Sequence, residues 1–204
     1  DFAKVNIRTK VCLPENADPG LYTIETVIFD SSHKEIQKTK TSLTSLLYGD
    51  ISQEIVVKNP VLWSPDQPVL YTAKTFLYEG TTLKDQYSTP FGIRSIEIIP
   101  EKGFFLNGEK TVFKGVCNHH DLGPLGAAVN DAAIRRQIRL LKDMGCNAIR
   151  TSHNMPAPEL VKACDEMGMM LMVESFDEWN TPKCKNGYNL FFDEWAEKDL
   201  VNLI

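Results

Sequence analysis

Apolar and polar residues alternate along the first half of this chain. Val5-Asn6-Ile7-Arg8-Thr9-Lys10-Val11 and Tyr22-Thr23-Ile24-Glu25-Thr26-Val27-Ile28-Phe29 have a period of two. That period places one set of side chains on a core face and the other in water. Lys34 to Thr44, Ile51 to Val57, Leu70 to Tyr78 and Thr82 to Tyr87 are further strand candidates. Turn signals separate them at Pro19-Gly20, Asp30-Ser31-Ser32, Tyr48-Gly49-Asp50 and Glu79-Gly80. Six or seven short strands in about 95 residues predict an immunoglobulin-like β-sandwich over residues 1–98.

The pattern changes near Ile99. Phe104-Phe105-Leu106, Asn107-Gly108 and Thr111-Val112-Phe113 read as a hairpin around a strong two-residue turn signal. A strand over Thr111 to Val116 then runs toward the next polar cluster. Asn130 or Asp131 caps a helix with the apolar stripe Ile134, Ile138, Leu141 and Met144, ended by Gly145. Asn147 to Thr151 is a short strand. Pro158 opens a second helix, with Leu160, Ala163, Cys164 and Met167 toward the core and Gly168 at its end. Met169 to Val173 is apolar throughout, as a buried parallel strand would be, and Asp193 to Leu203 has a helical pattern. This alternation predicts that residues 99–204 form the N-terminal part of a TIM (β/α)8 barrel, about three strands of eight. A barrel left open at its edges is expected to expose apolar surface or to self-associate as a homo-oligomer.

Polar clusters follow the three barrel strands: Asn118-His119-His120-Asp121, Arg150-Thr151-Ser152-His153-Asn154, and Glu174-Ser175-Phe176-Asp177-Glu178-Trp179. The C-terminal ends of such strands are where barrels build active sites. Three successive strands that each deliver histidine or carboxylate to one rim are more than packing requires.

Composition narrows the class of protein without choosing its chemistry. The 204 residues are 43% hydrophobic and 24% charged, ordinary for a soluble globular chain with a sizeable core. A formal net charge of −5 argues against a nucleic-acid surface. No run of about 18 apolar residues predicts a membrane span. Cys12, Cys117, Cys146, Cys164 and Cys184 include no CxxC pair, and Cys146 and Cys164 fall in apolar context as buried free thiols. The chain begins Asp1-Phe2-Ala3-Lys4 and ends inside a helical pattern, so a piece of a larger protein is expected. Its location, cytoplasmic, periplasmic or secreted, is left open.

Phe105-Leu106-Asn107-Gly108-Glu109-Lys110, Lys114-Gly115-Val116 leading to His119, and Asn147-Ala148-Ile149-Arg150-Thr151-Ser152-His153 occur in that order. Together they resemble glycoside hydrolase family 2, the family of β-galactosidases, β-glucuronidases and β-mannosidases. Asn59-Pro60-Val61-Leu62-Trp63-Ser64-Pro65 is similar to the family's Pro-x-Leu-Trp-Ser-Pro segment, and Phe91-Gly92-Ile93-Arg94 to another family segment. There Trp63 reads as a core anchor and Gly92 as a point of close approach or unusual torsion.

The resemblance implies a retaining glycosidase whose two glutamates lie about 5 Å apart, after the fourth and seventh barrel strands. Both are expected beyond Ile204, so this chain holds no catalytic residue and is inactive alone. It implies a substrate-contacting rim instead. His119 and His153 match family histidines that line the sugar pocket, and a neutral imidazole offers a hydroxyl one donor and one acceptor. Arg150 matches an arginine near the nucleophile, where a fixed cation keeps a carboxylate ionised. Glu174 is read as its inner-rim partner, and Asn154 belongs to the same substrate-binding set. Asp177 and Trp179 either touch the sugar or sit in a solvated loop. Asp121 either orients His119 or caps its own loop.

Some family members bind Mg²⁺ through a glutamate and a histidine after the third strand. Glu178 falls near the glutamate position, but Asn180 stands where the histidine would be, so no cofactor or metal is expected. A carbohydrate is the expected partner. β-Galactosidase is the first expectation for the parent protein, with β-glucuronidase and β-mannosidase as rivals. A non-catalytic carbohydrate-binding or interaction module is the other class of function, although such a module has no use for part of a barrel with a polar rim. A metal-dependent hydrolase would need spacing such as His-x-His after the first strand, which adjacent His119-His120 does not supply.

Overall fold

A computed structural model describes residues 1–44 and 47–203. The chain divides into two compact units, Asp1–Ser95 and Ile96–Ile204.

The first unit is a two-layer β-structure. Strand β1 (Phe2–Cys12) pairs antiparallel with β4 (Tyr48–Lys58). The other layer has the order β3 (Glu35–Ser42), β2 (Tyr22–Phe29), β5 (Tyr71–Glu79), β6 (Thr82–Phe91), with antiparallel neighbours. Alternation turns Ile24 and Ile28 of β2 inward against residues of the other layer. Ile28 packs in one cluster with Ile55, Val57, Tyr71 and Ala73, and Ile24 in another with Val11, Leu13, Tyr22 and Leu43. Two buried polar residues join the layers: Thr26 Oγ1 donates to Gln53 Oε1 at 2.7 Å, and Gln53 Nε2 donates to Thr41 Oγ1 at 3.0 Å. Each satisfies the other's need for a partner away from water. Trp63 is 1% exposed, in keeping with the core anchor expected of it.

One turn expectation needs correction. Tyr48-Gly49-Asp50 is the start of β4, because Cys12, Val11 and Lys10 pair with those three residues across the sheet. A long-range ladder outweighs the local turn chemistry there.

The second unit opens with a small antiparallel sheet of β7 (Ile96–Ile99), β8 (Gly103–Leu106) and β9 (Glu109–Lys110). Asn107 and Gly108, with φ of 55° and 79°, make the turn between β8 and β9. The second hairpin strand stops at Lys110, short of the continuous run to Val116 expected from the sequence.

Three parallel strands follow, in the order β10 (Gly115–Asn118), β11 (Ala148–Thr151) and β12 (Met170–Val173). Helix α1 (Asp131–Asp143) connects the first two, α2 (Pro158–Met167) the second and third, and α3 (Phe192–Leu203) comes last. Asn130 Oδ1 caps α1 by accepting the Ala133 N–H at 3.0 Å. Ile134, Ile138 and Leu141 of α1 join Ile149, Ala163, Cys164 and Met169 in the core that fixes both helices on the sheet.

Met144, expected in that stripe, is 73% exposed because α1 has already ended at Asp143. Strand β12 also departs from a fully buried strand: Met169 and Met170 are buried, while Met172 is 52% and Val173 38% exposed at the open edge of the three-stranded sheet. Cys164 is buried, and burial pushes its thiol up to about 12, whereas Cys146 is only half-buried; all five cysteines are free. No helix among the described residues is long and apolar enough to cross a membrane.

Candidate functional site

The matched ends of the three parallel strands set the site. Asn118, Thr151 and Val173 stand side by side in the register, so His119, Ser152-His153 and Glu174 emerge from one rim. The Ser152 N–H donates to Asn118 O at 2.9 Å, and the Glu174 N–H to Thr151 Oγ1 at 3.1 Å. Each strand end is thereby tied to its neighbour. The Ser152–His153 peptide bond is cis.

Glu174 is the centre of the side-chain network. Arg150 Nε donates to its Oε1, and His153 Nδ1 lies 2.7 Å from its Oε2. Arg150 Nη1 also reaches Cys117 Sγ at 3.4 Å. The rings of His119 and His153 stand edge to face, with centroids 5.2 Å apart and planes at 87°. The hydrogen bond from His153, and then that from Arg150, hold the Glu174 carboxyl below its ordinary range, against the opposing effect of partial burial. Glu174 therefore carries its charge at neutral pH. Its side chain is 21% exposed, that of His153 35% and that of Arg150 42%, so a small molecule can reach the network from solvent.

Other rim candidates take different positions. His120 Nε2 contacts Ala127 O at 2.9 Å, and Asp121 Oδ1 accepts the Gly123 N–H at 2.7 Å. Asp121 thus caps its own loop. Asn154 lines, with His119, Ser152, Gln137 and Leu160, a cavity of about 30 Å³. That volume is far below the few hundred Å³ typical of a small-molecule pocket. Asp177 binds the Lys183 ammonium through its carbonyl and side-chain oxygens, and Trp179 is 69% exposed. The structure thus gathers His119, His153, Arg150 and Glu174, and sets Asp177 and Trp179 in the loop beyond. A larger cleft of about 400 Å³ lies in the first unit, lined by residues such as Arg8, Asp85 and Tyr87. It lacks histidine and paired carboxylates.

Glu178 has a role that sequence reasoning missed. It is 4% exposed and accepts the Lys183 N–H at 2.5 Å and the Asn189 N–H at 3.1 Å. Those backbone donors, Lys183 first, hold its carboxyl below the usual range. The loop after β12 is wound around this carboxylate. Phe176, Tyr188 and Phe192 stack nearby, and Tyr188 OH donates to Asp199 Oδ2 at 2.5 Å. Each Glu178 oxygen accepts an N–H group, and Asn180 offers no imidazole beside it. Among the described residues no group of three or more His, Cys, Asp and Glu is arranged to hold a metal.

Residues 1–94 match the family described as Glycosyl hydrolases family 2, and residues 97–197 match Glycosyl hydrolases family 2, TIM barrel domain. Over 204 residues the chain is 45% identical to the β-galactosidase BoGH2A of Bacteroides ovatus, covering 99% of this chain and 24% of that protein. It is 34% identical over 184 residues to a β-glucuronidase of Streptococcus agalactiae, covering 85% of this chain and 29% of that protein. A solved glycosyl hydrolase family 2 member from Bacteroides cellulosilyticus superposes with a TM-score of 0.90 at 34% identity, over 100% of this chain and 26% of that one. The chain spans about a quarter of the length of such relatives.

Proposed function

This chain belongs to glycosyl hydrolases family 2, as an immunoglobulin-like domain followed by the start of the TIM-barrel domain, and we propose that it forms one wall of the sugar site in a retaining β-glycosidase. The observation that carries the reading is the Glu174-centred network, with His119 against His153, on the ends of three parallel strands. Imidazoles can donate to and accept from the hydroxyls of a pyranose, and an ion pair fixes their surroundings. The chain contributes binding and orientation. Cleavage requires two carboxylates about 5 Å apart, one as acid/base and one as nucleophile, which the family resemblance assigns to later strands. The chain alone is therefore inactive.

For the sugar we propose a β-galactoside. The 45% identity to a protein named a β-galactosidase supports this. So does the charge of the rim: Arg150 is already paired with Glu174, and Lys183 with Asp177, so neither cation is left to select a carboxylate-bearing sugar. A β-glucuronide or β-mannoside is the rival substrate. A panel of chromogenic β-glycosides, given to this chain and to a protein extended at both ends, tests the reading. Hydrolysis by the extended protein alone, fastest with the galactoside, is expected. A folded extended protein that cleaves no β-glycoside would move the function to carbohydrate binding.

A further inference from the structure

We propose that Glu174 is a positioning residue that, when the His153 ring is neutral, keeps its single proton on Nδ1, making Nε2 a hydrogen-bond acceptor for one sugar hydroxyl. The sugar rests on the function proposed above, while the tautomer rests on geometry alone. An ionised carboxylate only accepts hydrogen bonds. Glu174 Oε2 stands 2.7 Å from His153 Nδ1, so Nδ1 must carry the proton in that contact. Three further contacts keep the carboxylate from turning away: Oε1 takes the Arg150 guanidinium, the Glu174 N–H is held by Thr151 Oγ1, and β11 and β12 are paired up to Thr151 and Val173. The His153 ring is further confined by the perpendicular ring of His119. Nε2 is then the nitrogen left to a ligand, and in the neutral ring it presents a lone pair.

This assigns direction to one contact of the sugar site. The hydroxyl that meets the neutral His153 ring must donate. A sugar deoxygenated or O-methylated at that hydroxyl loses the contact. Among the described residues, Glu174 and His119 contact the ring, Arg150 reaches it only through Glu174, and only Glu174 bonds to Nδ1. Glu174→Gln reverses the arrangement. Its amide oxygen is drawn to the Arg150 guanidinium, its NH₂ faces His153 Nδ1, and the ring proton must move to Nε2.

The chain has four histidines, so ¹⁵N-histidine spectra resolve the protonation of each ring nitrogen, with His153 assigned through its own replacement. At a pH where the ring is neutral, the wild-type spectrum should show His153 protonated on Nδ1 and bare on Nε2. Glu174→Gln should invert that pattern, and Glu174→Asp, which keeps an accepting carboxylate, should restore it. In the extended protein Glu174→Gln should lower kcat/KM about 10-fold or more while Glu174→Asp recovers much of it. A wild-type His153 protonated on Nε2 overturns the proposal, whatever the variants do. An extended protein that hydrolyses no β-glycoside but shows the Nδ1-protonated ring refutes the sugar reading and leaves the positioning role standing.

Discussion

Gly92 lies so close to Trp63 that a β-carbon on it would stand 2.9 Å from Trp63 Cβ and 3.0 Å from Cγ. The indole is buried, its backbone N–H donates to Ile93 O at 2.7 Å, and the Arg94 guanidinium lies 5.0 Å from the ring centroid. Phe91-Gly92-Ile93-Arg94 thus wraps the tryptophan. Gly92→Ala forces either the strand exit or the indole to move, as overpacking does elsewhere, at a cost of about 1–3 kcal/mol. A urea melt checks this: the midpoint should fall without a change in slope. An unchanged midpoint would show that the contact yields freely.

The loop after β12 depends on Glu178. Its two oxygens accept the Lys183 and Asn189 N–H groups, most strongly when ionised, and Gly187 leaves them room, since a β-carbon there would overlap Oε1. The folded carboxyl is held below its unfolded value, so the unfolded chain binds the proton more tightly. The stabilisation is accordingly present above the unfolded pKa of about 4.3 and is lost as pH falls through the folded one. Hydrogen exchange at the Lys183 and Asn189 amides should accelerate as pH drops through that window, relative to the intrinsic rate. Glu178→Gln, which turns an NH₂ toward one of the two donors, should reduce protection about 10-fold even at neutral pH. Equal protection in wild type and variant would contradict the role.

Two contributions to holding α1 and α2 in place can be ranked. Arg135 on α1 donates to Asp131 at 2.9 Å and to Glu166 on α2 at 2.5 Å, with all three side chains at least 30% exposed. Solvent and salt weaken such pairs, so Arg135→Ala should cost at most about 1 kcal/mol, less in 1 M salt. Ile149, fully buried on β11, sits in the common core, and Ile149→Ala should cost about 2–5 kcal/mol with no salt dependence. Denaturant melts at low and high salt separate the two. A larger loss from the arginine would reverse the ranking.

Local chemistry was legible in the sequence, and pairing at a distance was less so. The Asn107-Gly108 turn and the Asn130 cap follow from the residues themselves. The parallel strands and helices follow from period and length. Tyr48-Gly49-Asp50 misleads because its partners lie on β1, far back in the chain. In the site, the strand order brings Arg150 beside Glu174, as expected of an inner-rim pair. Asp121 offered two roles, and the Gly123 N–H two residues away takes its carboxylate. Glu178 reads from the sequence only as a candidate metal ligand, because its actual partners are backbone amides, which have no side-chain signature, and their positions depend on how the loop closes.

The most direct measurement is a crystal structure of the extended protein with galactose bound. Sugar hydroxyls within hydrogen-bond distance of His119 and His153, one of them meeting His153 Nε2, with Glu174 still joined to Arg150, are predicted. Galactose seated away from this rim, or a rim whose Glu174 has released both partners, would contradict the account.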